Sequence, residues 1–87
     1  MHGDTQVIMA LELLATLAGR RTDTPVTLEQ IDAESYHMKL HYPLDQAELR
    51  RRLGPELVRL GWAAWAGDKT ALVLTDAGLR IAVGGRE

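Results

Sequence analysis

The stretch Gly61 to Gly78, "GWAAWAGDKTALVLTDAG", constrains the fold of this chain more than any other. Two short apolar runs, Trp62 to Ala66 and Thr70 to Thr75, flank a Gly-Asp turn and predict a β-hairpin. Thr75 is placed to cap a last helix from Asp76 to about Val83, which Gly84-Gly85 would end. A hairpin set between two helices in an 87-residue chain leaves room for one domain, residues 1–87, with one modest core.

Upstream of the hairpin the apolar spacing is helical. From Thr5 to Ala18, Val7, Leu11, Leu14 and Ala18 recur at helical intervals, with Ala10, Leu13 and Leu17 widening the stripe. Asp4 or Thr5 can cap this helix, Gly19 supplies a left-handed stop, and Arg20-Arg21 sit at the negative end of its dipole. So wide a stripe marks either the central core helix or a contact between subunits. Val26 is a candidate for a one- or two-residue strand. The capping-box spacing of Thr27 and Gln30 then predicts a helix from Leu28 to about His37, with Leu28, Ile31 and Tyr36 as its inward residues. Lys39 to Pro43 reads as an extended link.

A third helix begins at Asp45-Gln46-Ala47-Glu48, and Leu49, Leu53, Leu57 and Leu60 line one face of it up to Gly61. Gly54-Pro55 interrupts the run, because proline removes one hydrogen bond and clashes with the carbonyl four residues back. The leucines stay in phase across the interruption, which favours one kinked helix over two short ones.

Composition excludes several classes of function. The chain is 46% hydrophobic and 25% charged, ordinary globular proportions. It has no cysteine, so neither a disulfide nor a thiolate metal site is available. The longest apolar stretch, Val7 to Ala18, is broken by Glu12 and too short for a bilayer, and no signal-peptide pattern appears. A soluble cytoplasmic protein without membrane attachment is the expectation. His37 and His41, with Glu34 nearby, raise the question of a metal. The segment between them should be leaving its helix, which would lose the i, i+4 geometry, so no metal and no cofactor are expected. Ser35 lies in no nucleophile motif and there is no glycine-rich phosphate loop, so the chain is not expected to be an enzyme.

The order helix, short strand, helix, helix, hairpin, helix, with "LVRLGWAAWAGDKTALVLTDAGLRIA" at its end, resembles the winged helix-turn-helix domains of bacterial repressors. The matching positions are Leu60, Gly61, Trp62, Gly67-Asp68 and Leu74-Thr75-Asp76-Ala77-Gly78. The element order covers nearly the whole chain, the motif only its last third. The resemblance implies an α+β, mainly α fold: a winged helix-turn-helix with a three-helix core, a two-stranded wing and a closing C-terminal helix. It also implies that Trp62 fills a large apolar slot beneath the wing. Trp65, three residues on in an extended strand, would face the other way, exposed or capping an edge.

Two functions compete on this fold. The first is a DNA-binding transcriptional regulator, bacterial or phage, that meets double-stranded DNA through the helix at 45–60 and the wing at 62–75. Gln46, Ala47, Arg50, Arg51, Arg52 and Lys69 would contact the nucleic acid. Arg51 points straight away from the leucines, toward base edges, and Arg50 and Arg52 lean sideways toward phosphates. A homodimer through helix 5–18 would serve two half-sites. The second is a winged-helix protein-interaction module, such as a regulatory inhibitor, that binds a protein partner through Val58 and Trp65. A net charge of −2 favours the second, and the three consecutive arginines favour the first, although an arginine-rich solvated helix face explains them equally well.

Overall fold

The computed structural model describes residues 2–37 and 44–84, with side chains from residue 5. The chain runs α1 (His2–Leu17), β1 (Val26–Thr27), α2 (Leu28–His37), α3 (Gln46–Glu48), a π-helical turn (Leu49–Leu53) and α4 (Gly54–Arg59). It continues through β2 (Ala63–Ala66), β3 (Ala71–Leu74) and α5 (Asp76–Gly84). The fold is α+β and mainly helical, with one antiparallel sheet ordered β1-β3-β2. The extended link expected at Lys39 to Pro43 lies outside the described residues.

α1 is the central core helix. Val7, Ala10, Leu11, Leu13, Leu14, Ala15 and Ala18 are all buried, and the helix packs on α2, α4, α5 and β3. Along Thr5 to Ala18 only Thr5 and Thr16 are exposed. The wide stripe is therefore used inside the molecule, which removes the apolar surplus behind the expected subunit contact through helix 5–18. α1 starts at His2, ahead of the expected cap at Asp4 or Thr5. It ends as the glycine predicts: Gly19 is left-handed at φ 65, its N–H donates to the Thr16 carbonyl, and Arg20 N–H donates to the Ala15 carbonyl. These two bonds satisfy carbonyls that the helix end would leave bare.

α2 matches its expected bounds, and Thr27 and Gln30 form the capping box, with Gln30 N–H on the Thr27 hydroxyl and Thr27 N–H on the Gln30 side chain. Its inward set needs one correction. Tyr36 is 64% exposed, and Ser35 takes the buried position. The Ser35 hydroxyl donates to the Asp32 carbonyl at 2.7 Å and accepts the Leu44 N–H at 3.0 Å, so a small polar group fastens α2 to the chain ahead of α3. A tyrosine there would leave that buried N–H without a partner.

The leucine helix stays continuous through Gly54-Pro55. It neither breaks nor divides, because residues 49–53 widen into a π turn in which Gly54 N–H reaches back to the Leu49 carbonyl. The wide turn accommodates the missing proline N–H without ending the helix. Leu49, Leu53 and Leu57 are fully buried, but Leu60, expected on the same face, is 38% exposed. It sits at the helix C-cap, where Gly61 turns left-handed at φ 79 and the apolar row ends.

β2 and β3 pair with Ala63 opposite Leu74 and Trp65 opposite Leu72, and β1 adds Val26 on the other side of Leu72. Val26, Leu72 and Trp65 thus form one row across the inner face of the sheet. The strand starts at Ala63 and Trp62 precedes it at the helix end, so the expected exposure of Trp65 against a buried Trp62 does not hold. Both are half-buried and packed against the core. Trp65 lies over Gly54, where a Cβ would meet its ring and the Leu49 carbonyl, each at 2.5 Å.

The motif Gly61-Trp62…Leu74-Thr75-x-x-Gly78 forms one junction. Trp62 N–H donates to the Leu57 carbonyl and Gly61 N–H to the Val58 carbonyl, closing the helix. The Trp62 carbonyl accepts Thr75 N–H at 3.1 Å. The Thr75 hydroxyl donates to the Gly61 carbonyl at 2.6 Å and accepts Gly78 N–H at 3.0 Å, capping α5. A Cβ on Gly78 would collide with the Trp62 carbonyl, whereas one on Gly84 meets nothing within 4 Å. Gly78→Ala is therefore expected to cost roughly 2–4 kcal/mol in urea unfolding, and Gly84→Ala less than about 0.5 kcal/mol. Equal effects of the two substitutions would contradict this junction.

Candidate nucleic-acid interface

Helix 46–59 and α2 carry opposite charge. Arg50, Arg51, Arg52 and Arg59 stand against Glu48 and Glu56 on the first, while Glu29, Asp32 and Glu34 lie on the second with no lysine or arginine. Helix 46–59 thus carries four of the ten basic side chains of a chain that is acidic overall. What each can do depends on its partners.

Asp45 opens this helix in extended conformation, and its carboxylate accepts N–H groups from Ala47 at 2.7 Å and Glu48 at 3.3 Å. The Gln46 N–H goes to the Asp32 carboxylate at 3.1 Å, which sets the start of the helix against α2. Gln46 and Ala47 are left exposed on the first turn.

The three consecutive arginines differ sharply. Arg51 is 76% exposed, as its direction away from the leucines predicts, but its guanidinium is held by Glu48 at 2.6 Å. Arg52 also binds Glu48, at 2.8 Å, and donates to the Gln6 side chain of α1 at 2.6 Å. It therefore turns toward α1, contrary to the sideways lean toward phosphates expected from the sequence. The Arg52 hydrogen bond, followed by that of Arg51, holds the Glu48 carboxyl below the usual glutamate range. Because its folded pKa is depressed, this pairing is complete above the ordinary glutamate pKa and is lost only as pH falls through the lowered value. Arg50 is exposed and, among the described residues, pairs with no carboxylate.

Arg50 lines a cleft of about 350 Å³ with Gln46, Ala47, Thr27, Leu28, Glu29 and Thr70. The fold thus brings the first turns of helix 46–59 to the turn end of the hairpin, where Leu28 N–H donates to the Thr70 carbonyl. Of the sequence-predicted contact residues, Gln46, Ala47 and Arg50 converge here, and Lys69 is the chain neighbour of Thr70. Arg51 and Arg52 do not line the cleft. Glu29 on the opposite wall is an acid that the sequence reading overlooked, and its signal was present in the acidic run of α2.

Val58 and Trp65, the anchors of a protein-binding surface, are both half-buried and packed against the core. Neither provides the exposed apolar anchor expected from the sequence. Arg59 pairs with Glu56 and lines a separate groove with Val7, Ile8, Leu60 and Trp62. His37 is exposed, His41 lies outside the described residues, and no metal-holding group of three or more His, Asp or Glu occurs among the described residues.

At the hairpin tip Gly67, Asp68 and Lys69 have φ of 55, 59 and 66, and Thr70 N–H closes the turn on the Gly67 carbonyl. Asp68 and Lys69 occupy the two central positions of a type I′ turn, where glycine is favoured at the second. A lysine is strained there by roughly 1 kcal/mol. No known protein family, curated protein or solved structure shows significant similarity to this chain. Lys69→Gly is expected to raise stability by about 1 kcal/mol in chemical denaturation. Unchanged or lowered stability would contradict the strain.

Proposed function

We propose that the chain is a winged helix-turn-helix domain that binds double-stranded DNA as a transcriptional regulator, with helix 46–59 as the recognition helix and β2–β3 as the wing. The observation that carries this reading is the convergence of Gln46, Ala47 and Arg50 with Thr70, the last residue of the wing turn, on one cleft. An unpaired arginine, a side-chain amide and a hydroxyl are the group types that contact phosphate and base edges. Lys69 extends the same side at the wing tip, and its strained backbone supports a role for its charge there, since glycine would fit the turn better.

The reading differs from the sequence expectation in one respect. Arg50 is the leading contact, because Arg51 and Arg52 share a carboxylate that a phosphate would have to displace. The acidic α2 confines the approach of DNA to the side of the cleft formed by helix 46–59 and the wing. Val58 and Trp65 are half-buried against the core, so the protein-interaction reading has less exposed apolar surface to draw on.

The test is a salt titration of binding to a short mixed-sequence duplex. Arg50→Ala is expected to weaken binding and to reduce the log–log salt slope by about 0.9, the value for one lost phosphate contact. Arg52→Ala, whose guanidinium is occupied by Glu48 and Gln6, should change the slope much less. Equal losses from the two substitutions would refute the assignment of Arg50. Absence of binding by the unmodified protein at low salt would refute the DNA reading.

A further inference from the structure

Glu48 is placed to do more than stabilise its helix. One carboxylate holds two guanidiniums, with Oε2 on Arg51 and Oε1 on Arg52, and the second arginine is tied in addition to Gln6 of α1. Exposed i, i+3 and i, i+4 pairs add little to stability. Their effect on a polyanion is larger. A guanidinium already hydrogen-bonded to a carboxylate offers fewer N–H groups to a phosphate, and an approaching phosphate meets the carboxylate charge as well.

We propose that Glu48 is a specificity-determining residue that withholds Arg51 and Arg52 from the phosphate backbone and so suppresses sequence-independent binding. This inference rests on the DNA-binding reading above. On non-specific DNA, binding comes almost entirely from phosphate contacts. With the clamp closed, Arg50 and Lys69 carry that term alone, and binding stays weak until base edges at a correct site supply further contacts. Discrimination between right and wrong sites is then gained by lowering the affinity for wrong ones.

Glu48→Gln keeps the shape and the helix position of the side chain and removes its charge. Glu56→Gln removes the same charge from the Arg59 pair, which faces the groove beside Val7 and Ile8 and not the cleft. Both variants and the unmodified protein are titrated with salt against the same mixed-sequence duplex, after their thermal unfolding has been shown to match. Glu48→Gln is expected to bind roughly 5–10-fold more tightly near 0.1 M salt, with a slope steeper by about 0.9 for each arginine released onto a phosphate. Glu56→Gln is expected to bind like the unmodified protein. If Glu48→Gln leaves affinity and slope unchanged, or Glu56→Gln raises them as much, the proposal is overturned while the DNA reading stands. If none of the three proteins binds at low salt, both fall together.

Discussion

The Trp62 carbonyl is the point on which the architecture depends. It accepts the Thr75 N–H, and Gly78 lies so close to it that no side chain fits between them. One peptide group thereby fixes the end of the recognition-helix candidate, the hairpin and the closing helix relative to one another. The Thr75 hydroxyl completes the junction by donating to Gly61 and accepting from Gly78. Because these bonds are directional and converge on one junction, the hairpin has a defined angle to the helix. The cleft between Arg50 and Thr70 exists only because that angle is fixed.

A second constraint acts from the other side of the hairpin. Trp65 continues the Val26–Leu72 row and lays its ring on Gly54, which follows the π turn of helix 46–59. Glycine gives the ring its space, and the wide turn keeps the helix intact around Pro55. The sequence feature that looked like an interruption is thus what allows the sheet to approach the helix. It also explains why Trp65 is half-buried.

Much of this was legible in the residues, for physical reasons that can be named. The capping signals of Thr27-Gln30 and Thr75, the stop at Gly19 and the hairpin around Gly67-Asp68 act locally, so a single sequence displays them. The leucine phase across Gly54-Pro55 correctly indicated one helix. The exchange of Tyr36 for Ser35 was not legible, because the need for a hydroxyl arises from Leu44, nine residues away. The partners of Arg52 were only half legible: Glu48 stands at helical spacing, but Gln6 comes from another element 46 residues away. Strand alternation misplaced Trp62, since the helix cap claims that residue before the strand begins.

Charge organises the proposed function. The molecule carries −2 overall, yet four of its eight arginines lie on one helix and three acids with no basic neighbour on α2 beside it, so local potential and not net charge decides what approaches the cleft. Amide chemical-shift mapping with a short mixed-sequence duplex at low salt tests this most directly. The account predicts that the largest shifts fall on Gln46, Ala47, Arg50, Lys69 and Thr70, with α2 beyond its first turn unaffected. Shifts centred on the groove of Ile8, Leu60 and Trp62, or no shifts at all, would contradict it.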